Sequence, residues 1–196
     1  MIAAVHAENS TVNIVDLGGT KSYWKILPTP ILEGCNVNIT IVNLTHGIAS
    51  QPEPHFKFLY ADACNLDNIT DSVFDIVHSN SVIEHVGSWE RMEAFAQQVR
   101  RLAPRYFIQT PNFWFPIEPH CMTPVFHWLP LPLRVSIIMQ RRLGHWPKAP
   151  SEREAVRIVQ SARLLDRRLF RALFPDGSIR TERFMFLPKS FIAIRE

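Results

Sequence analysis

Thr11-Val12-Asn13-Ile14-Val15-Asp16-Leu17-Gly18-Gly19-Thr20-Lys21-Ser22-Tyr23-Trp24 decides how this chain folds. Ile14 to Leu17 read as a buried strand, because a short apolar run is bounded by a polar lead and by two adjacent glycines. Such a turn suits close approach of a ligand to the backbone. It is not a phosphate cradle, since GxxxxGK[ST] is absent. A dinucleotide site wants G-x-G-x-x-G and a long helix whose N-terminus holds a pyrophosphate. Here that spacing fails, and Pro28 and Pro30 confine Lys21 to Leu27 to a short helix.

Downstream, Asn38 to Asn43 is rich in β-branched residues and reads as a second strand. A loop follows through Gln51-Pro52-Glu53-Pro54. Phe56 to Tyr60 and Phe74 to Ser79 read as the third and fourth strands, with a polar turn at Asn65 to Asp71 between them. From Ser88 the period changes. Trp89, Met92, Phe95, Ala96, Val99 and Leu102 share one helical face, and Pro104 ends that helix. Tyr106 to Gln109 are a fifth strand. Strand-helix alternation predicts right-handed crossovers and a mainly parallel sheet. At the end of the chain, Ile179 to Phe186 and Ser190 to Ile194 read as an antiparallel pair joined by Leu187-Pro188-Lys189. The expected architecture is α/β: a Rossmann-like, doubly wound, mainly parallel seven-stranded sheet with an antiparallel C-terminal hairpin.

The 196 residues form one domain by this reading, with 46% hydrophobic and 20% charged residues, as in ordinary globular proteins. Nine of the fifteen prolines fall between Pro104 and Pro150, mixed with Trp114, Phe115, Phe126, Trp128 and Trp146. That aromatic content argues for an ordered insertion at about 111–150, acting as a substrate cover, rather than disorder. Leu133 to Leu143 is its expected helix. Ser151 and Glu154 fit a capping box for a helix that continues, with a break, to Phe174, and Pro175-Asp176-Gly177 is a turn. A net charge of +3 is too mild for a nucleic-acid footprint. Cys35, Cys64 and Cys121 are scattered, without zinc or CxxC spacing, and their odd number suits a reducing compartment. The start MIAAVHAENS lacks a basic n-region and a long apolar stretch, and no apolar run is long enough to span a bilayer. The expectation is a cytoplasmic protein.

Three segments resemble the class I S-adenosylmethionine-dependent methyltransferases, in the group that includes the small-molecule "type 11" domains: Ile14 to Thr20, Tyr60-Ala61-Asp62-Ala63, and Phe74 to His85. The resemblance implies S-adenosylmethionine as cofactor. It assigns Gly18 and Gly19, with Thr20 completing the loop, to the methionine part, and Asp16 to orienting that end. It places Asn43 and Leu44 at the ribose, Asp62 and Ala63 around the adenine, and Ser79 and Asn80 at the sulfonium side. Two positions depart from the family pattern: the turn is Gly-Gly-Thr-Lys-Ser, and Asn43 stands where the family has an acidic residue able to accept from both ribose hydroxyls.

For the acceptor, the resemblance implies a small molecule, with a hydroxyl (saccharide, lipid-linked or secondary metabolite) preferred. A hydroxyl acceptor profits from a general base, and the candidates are His85, Glu118 and His120. Thr110 to His120 follows strand five, on the acceptor side. Leu131 to Trp146 reads as a lid that can also touch a membrane surface as a peripheral contact. Two alternatives stay open: a non-catalytic methyltransferase-like binding domain, and a metal-assisted RNA 2′-O-methyltransferase. Val82-Ile83-Glu84-His85 with Thr110-Pro111-Asn112 is similar to the latter group, which holds a divalent ion with two glutamates and two histidines. Ser81 occupies the first of those positions, so no metal ligand set and no nucleic-acid partner is expected.

Overall fold

The computed structural model describes residues 1–44 and 54–196, so the expected loop through Gln51-Pro52-Glu53 lies outside the described residues. Strands β1 (Val12–Leu17), β2 (Val37–Asn43), β3 (Phe56–Tyr60), β4 (Ile76–Asn80) and β5 (Arg105–Pro111) pair in parallel in the order β3-β2-β1-β4-β5. All of β1 except Asn13 is buried, as expected of a strand covered on both faces. The chain order reverses between β1 and β4, which puts the switch point at the carboxyl end of β1.

One face is covered by helix α1 (Ile2–Asn9), through Val5, Met1 and Ile2, and by Trp24; these meet Ile14, Ile39, Ile41 and Ile76. The sequence reading had only a short lead here, because IAAVHAEN shows no apolar stripe against a charged face. It also took Pro28 and Pro30 as stops. The short helical turn Tyr23–Ile26 does end before Pro28, as expected, but a second helix, α2 (Thr29–Gly34), was missed; it begins after Pro28 with Pro30 in its first turn, where a missing backbone donor costs nothing. The opposite face is covered by α3 (Trp89–Leu102), which buries Met92, Phe95, Ala96, Val99 and Leu102, and whose first turn is capped by the Ser88 hydroxyl accepting from the Arg91 amide.

After β5 the chain leaves the sheet. Short strands β6 (Ile117–Glu118) and β7 (Thr123–Pro124) pair with each other, and α4 (Leu131–Gln140) and α5 (Glu152–Val159) pack together. Cys121, Phe126, Val135, Ile138, Ala155 and Val159 form a small core of their own. This core extends past Pro150 to include α5, whose N-cap is Ser151 as read from the sequence. The helix α4 ends at Gln140, earlier than expected, and Leu143 instead pairs with Trp146. The chain returns through Leu165, which bridges Asn112, to α6 (Arg167–Leu173).

The last strands, β8 (Ser178–Phe184) and β9 (Leu187–Arg195), are antiparallel, and β9 pairs with β5, giving the full order β3-β2-β1-β4-β5-β9-β8. The expected turn at Leu187-Pro188-Lys189 is corrected to Met185-Phe186, both at positive φ as in a two-residue type I′ hairpin. Pro188 and Lys189 sit within β9 at a register shift opposite Glu182 and Arg183, where a proline does no harm to the ladder. Among the described residues no helix is long and apolar enough to cross a membrane.

Candidate active site

The polar residues chosen from the sequence do collect at the carboxyl edge of the sheet, and they divide into two groups. Gly18, Asn43, Leu44, Asp62 and Ala63 line one cavity of about 440 Å³, together with Ser81, Val82, His85, Val86 and Arg91. Asp16, Gly19, Thr20 and Ser79 support it from behind. Asp16 is fully buried at the end of β1. One carboxylate oxygen accepts from the Trp24 indole N–H at 2.7 Å, and the other lies 2.8 Å from Nδ1 of His78. With Nδ1 donating, Nε2 of His78 accepts from the Tyr23 hydroxyl at 3.2 Å. Asp16 therefore fastens the segment after the glycine pair to β4, and direct contact with a ligand is closed to it. The Ser79 hydroxyl is likewise buried and donates to the Leu17 carbonyl, and the Thr20 hydroxyl pairs with Ser22.

The glycine pair has an internal reason. Gly18 has φ +76°, and a Cβ there would meet Val82 at 2.5 Å. A Cβ on Gly19 would fall on the Asp16 carboxylate. Close approach is thus made by the protein's own side chains, which shape the rim of the cavity. Gly19→Ala should destabilise the fold by about 2 kcal/mol through overpacking. Urea unfolding checks this, and an unchanged midpoint would show that the loop relaxes freely. The departure at Asn43 is also explained. Its amide nitrogen reaches the carbonyls of Gly19 at 3.1 Å and Gly18 at 3.4 Å. A carboxylate at this position could not donate to them.

One Asp62 oxygen accepts from the Cys64 amide, and both oxygens accept from Nη2 of the Arg91 guanidinium, at 2.9 and 3.1 Å. Burial raises its pKa, but these hydrogen bonds and the Arg91 charge outweigh it, so its carboxyl stays below the usual range. Arg91 was not singled out in the sequence. Its signal was only its place on the first turn of α3, facing the end of β3.

A chain of three side chains leaves this cavity. His85, which lines it, holds Nδ1 2.8 Å from the Ser161 carbonyl and turns Nε2 toward His120. The two Nε2 atoms are 3.0 Å apart. His120 in turn places Nδ1 2.6 Å from Glu118, whose other oxygen accepts from the Cys121 amide. The carbonyl of Ser161 and the carboxylate of Glu118 can only accept, so both Nδ1 atoms carry a proton. Two Nε2 lone pairs would then face each other at 3.0 Å, so a positive charge belongs between them. Burial opposes protonation of His120, but the Glu118 hydrogen bond and charge, with that of Glu84, raise its pKa overall, whereas burial lowers that of His85. A proton taken up by the pair is therefore held more firmly by His120 than by His85.

Glu84 lies beside this pair. It is 1% exposed; one oxygen accepts from the Thr110 hydroxyl at 3.0 Å and the other has no partner. Burial pushes its pKa up to about 7. Ligand atoms of Glu84, His85 and His120 all fall within 4.8 Å of one another, so three potential ligands do meet here, although the sequence reading expected no metal ligand set because Ser81 stands at the first glutamate position.

Two further cavities border the site. One of about 640 Å³ shares Ser81 with the first and is lined by Asn80, Gln109, Phe107, Phe115, Ile117 and Phe184, among others. Asn80 thus faces this second space. The other, about 580 Å³, includes Glu118 and Gly87 in its wall. The Glu118–His120–His85 chain consequently runs from one cavity to another.

Residues 19–105 match the family model described as a methyltransferase domain. No curated protein matches the chain by sequence. Among solved structures, magnesium protoporphyrin IX methyltransferase from Synechocystis PCC 6803, with bound S-adenosylmethionine, is 15% identical; the match covers 100% of this chain and 76% of that one, with a TM-score of 0.52. The 1,6-didemethyltoxoflavin-N1-methyltransferase of Burkholderia thailandensis is 12% identical over 98% of this chain and 74% of that one, with a TM-score of 0.54. A mycolic acid cyclopropane synthase complexed with S-adenosylhomocysteine is 17% identical over 93% of this chain and 61% of that one, with a TM-score of 0.52. At these identities the likeness speaks for the fold.

Proposed function

We propose that the chain is a class I S-adenosylmethionine-dependent methyltransferase that transfers the methyl group to a hydroxyl of a small molecule, a reading supported by the methyltransferase-domain match over residues 19–105 and by the likeness in fold. The observation that carries this reading is the Glu118–His120–His85 chain, which joins the cofactor cavity to a neighbouring one. Magnesium protoporphyrin IX, 1,6-didemethyltoxoflavin and mycolic acid appear in the names of the structural relatives, and a small-molecule acceptor here is in keeping with them.

The donor set fits the cofactor. The cavity is within the usual 300–1,000 Å³ of small-ligand sites. Asp62 and Ala63 would flank the adenine, Asn43 and Leu44 the ribose, and Gly18 with Ser81 the methionine end, while Asp16, Gly19, Thr20 and Ser79 keep the loop in place. Bound there, S-adenosylmethionine supplies an electrophilic methyl group on a sulfonium. His85 and His120 would take up the acceptor proton, with Glu118 holding His120 in the right tautomer and stabilising its charge. Insertion residues on the acceptor side would cover the site from water. Peripheral membrane contact remains part of the proposal, although α4 turns Val135 and Ile138 inward and leaves only parts of its surface, such as Leu133 and Met139, for it. The free cysteines Cys35, Cys64 and Cys121 support a cytoplasmic setting.

The partnerless oxygen of Glu84 favours a second reading, a divalent ion held by Glu84, His85 and His120. Two imidazoles on one tetrahedral ion would stand about 3.3 Å apart, given metal–nitrogen bonds near 2 Å. The observed 3.0 Å is shorter than that, but cis ligands on an octahedral ion with bonds near 2.1 Å would stand about this far apart, so the distance fits a shared proton and an octahedral ion alike. Calorimetric titration with S-adenosylmethionine tests the main proposal. Binding is expected, and Asp62→Ala should weaken it roughly tenfold by removing a charged acceptor. A chain that binds no S-adenosylmethionine would refute the proposal, and unchanged affinity in Asp62→Ala would refute the adenine assignment. Full turnover after exhaustive chelation excludes the metal reading.

A further inference from the structure

The 580 Å³ cavity beside Glu118 contains two polar groups that the fold leaves without partners. Arg134 projects into it from α4. Its Nε is buried and has no hydrogen-bond partner, and among the described residues no carboxylate lies within ion-pair distance of its guanidinium. His127 is 9% exposed; its Nε2 donates to the Phe113 carbonyl at 2.7 Å, and its buried Nδ1 has no partner. The ring is held neutral by burial, so Nδ1 is a lone pair awaiting a donor. Phe113, Phe126 and Trp146 provide apolar walls, and the exposed Arg163 stands at the rim.

A partly buried guanidinium with no counter-charge is costly, and proteins retain such groups where something else supplies the charge. Glu118 lines the same cavity, but both of its oxygens are engaged, by His120 and by the Cys121 amide. Burial depresses the pKa of Arg134, and the more distant charge of Glu118 only partly offsets this.

We propose that this cavity binds a small oxyanion-bearing molecule, a carboxylate or phosphate with a hydroxyl on an aromatic or apolar body. Arg134 would pair with the anion, His127 Nδ1 would accept from a hydroxyl, and Trp146 and Phe126 would hold the body. The anion site stands independently of the methyl transfer proposed above. Glu118 in the wall of this cavity also holds His120, so an anion bound here lies close to the histidine pair without lining the cofactor cavity.

The test uses 4-hydroxybenzoate, its uncharged twin 4-hydroxybenzyl alcohol, and inorganic phosphate, titrated by calorimetry into the full chain with and without S-adenosylmethionine. The acid should bind at least about tenfold more tightly than the alcohol, and Arg134→Gln should abolish that difference. Competition by phosphate would mark a phosphate-bearing ligand; its failure, with the acid still bound, would mark a carboxylate. Arg134→Gln should keep the wild-type affinity for S-adenosylmethionine and melt at the same temperature or higher, because an uncompensated charge has been removed. Equal binding of acid and alcohol, no binding of any anion, or a lower melting temperature for Arg134→Gln would overturn the site. The S-adenosylmethionine titration is read separately, so its failure would strike the methyl-transfer reading and leave the anion site standing.

Discussion

Replacing His120 by alanine lowers turnover by about 10²- to 10⁴-fold, the usual range for loss of a general base, while leaving the affinity for S-adenosylmethionine unchanged. His120 does not line the cofactor cavity, and its two nitrogens are spent on Glu118 and His85. Its removal deletes the member of the pair that holds a proton more firmly and leaves His85 without a partner. A structural role would instead show as loss of fold and of cofactor binding together. The same geometry sets the pH dependence. The pair must be able to take up a proton, and the charge of Glu118 raises the pKa of His120. Turnover should therefore rise with pH through that raised value and then level. In Glu118→Gln the rise should move to lower pH, because the neutral amide no longer stabilises the imidazolium. Tritium transfer from methyl-labelled S-adenosylmethionine into a pool of hydroxylated small molecules measures both effects. A His120→Ala protein with wild-type turnover, or a pH profile unmoved by Glu118→Gln, would remove the pair from the chemistry.

The sheet was legible because its signals are local. β1 to β5 are short apolar runs between turn residues, and α3 repeats its apolar side chains with helical period, so the mainly parallel sheet and its layers followed from alternation, whereas the order of its strands did not. The misses have physical reasons. α1 is a short helix of nearly uniform polarity whose burial comes from contact with the sheet, which no period announces. The turn at Met185-Phe186 carries neither glycine nor asparagine, and Pro188 drew the reading to the bulge two residues later.

The site was half legible. A strand-end position could be named for Gly18, Asn43 and Asp62, but not which oxygen faces outward. Asp16 looked like a ligand contact because position alone hides the Trp24 and His78 side chains that consume it. Asn43 looked like a loss because the two loop carbonyls it satisfies are far from it in sequence. Arg134 and His127 were invisible as a pair, since only the folding of the insertion onto α5 brings them to one cavity. The residues that support a site, and those that leave a charge unmatched, depend on contacts between distant segments.

Replacing Glu84 by glutamine should make the protein more stable than the wild type above neutral pH and about equally stable in mild acid. Glu84 is buried, with its pKa raised from 4.5 to about 7. In the unfolded chain it ionises near the ordinary value. Between those two values the folded protein holds one more proton than the unfolded chain, so stability falls as pH rises. The contribution is intact below about pH 4.5 and lost above about pH 7, a difference of roughly 3 kcal/mol for a shift of this size. Glutamine keeps the acceptor for the Thr110 hydroxyl, offers an amide where the partnerless oxygen lies, and carries no charge to bury. The pKa of His120 is itself raised in part by Glu84, so the comparison is wild type minus variant at each pH. Urea unfolding at about pH 5 and about pH 8 should give curves that coincide at the first and separate at the second. Parallel curves at both values would mean that Glu84 is already ionised in the fold. In that case its partnerless oxygen has a counter-charge, and the divalent ion becomes the better reading of the histidine pair.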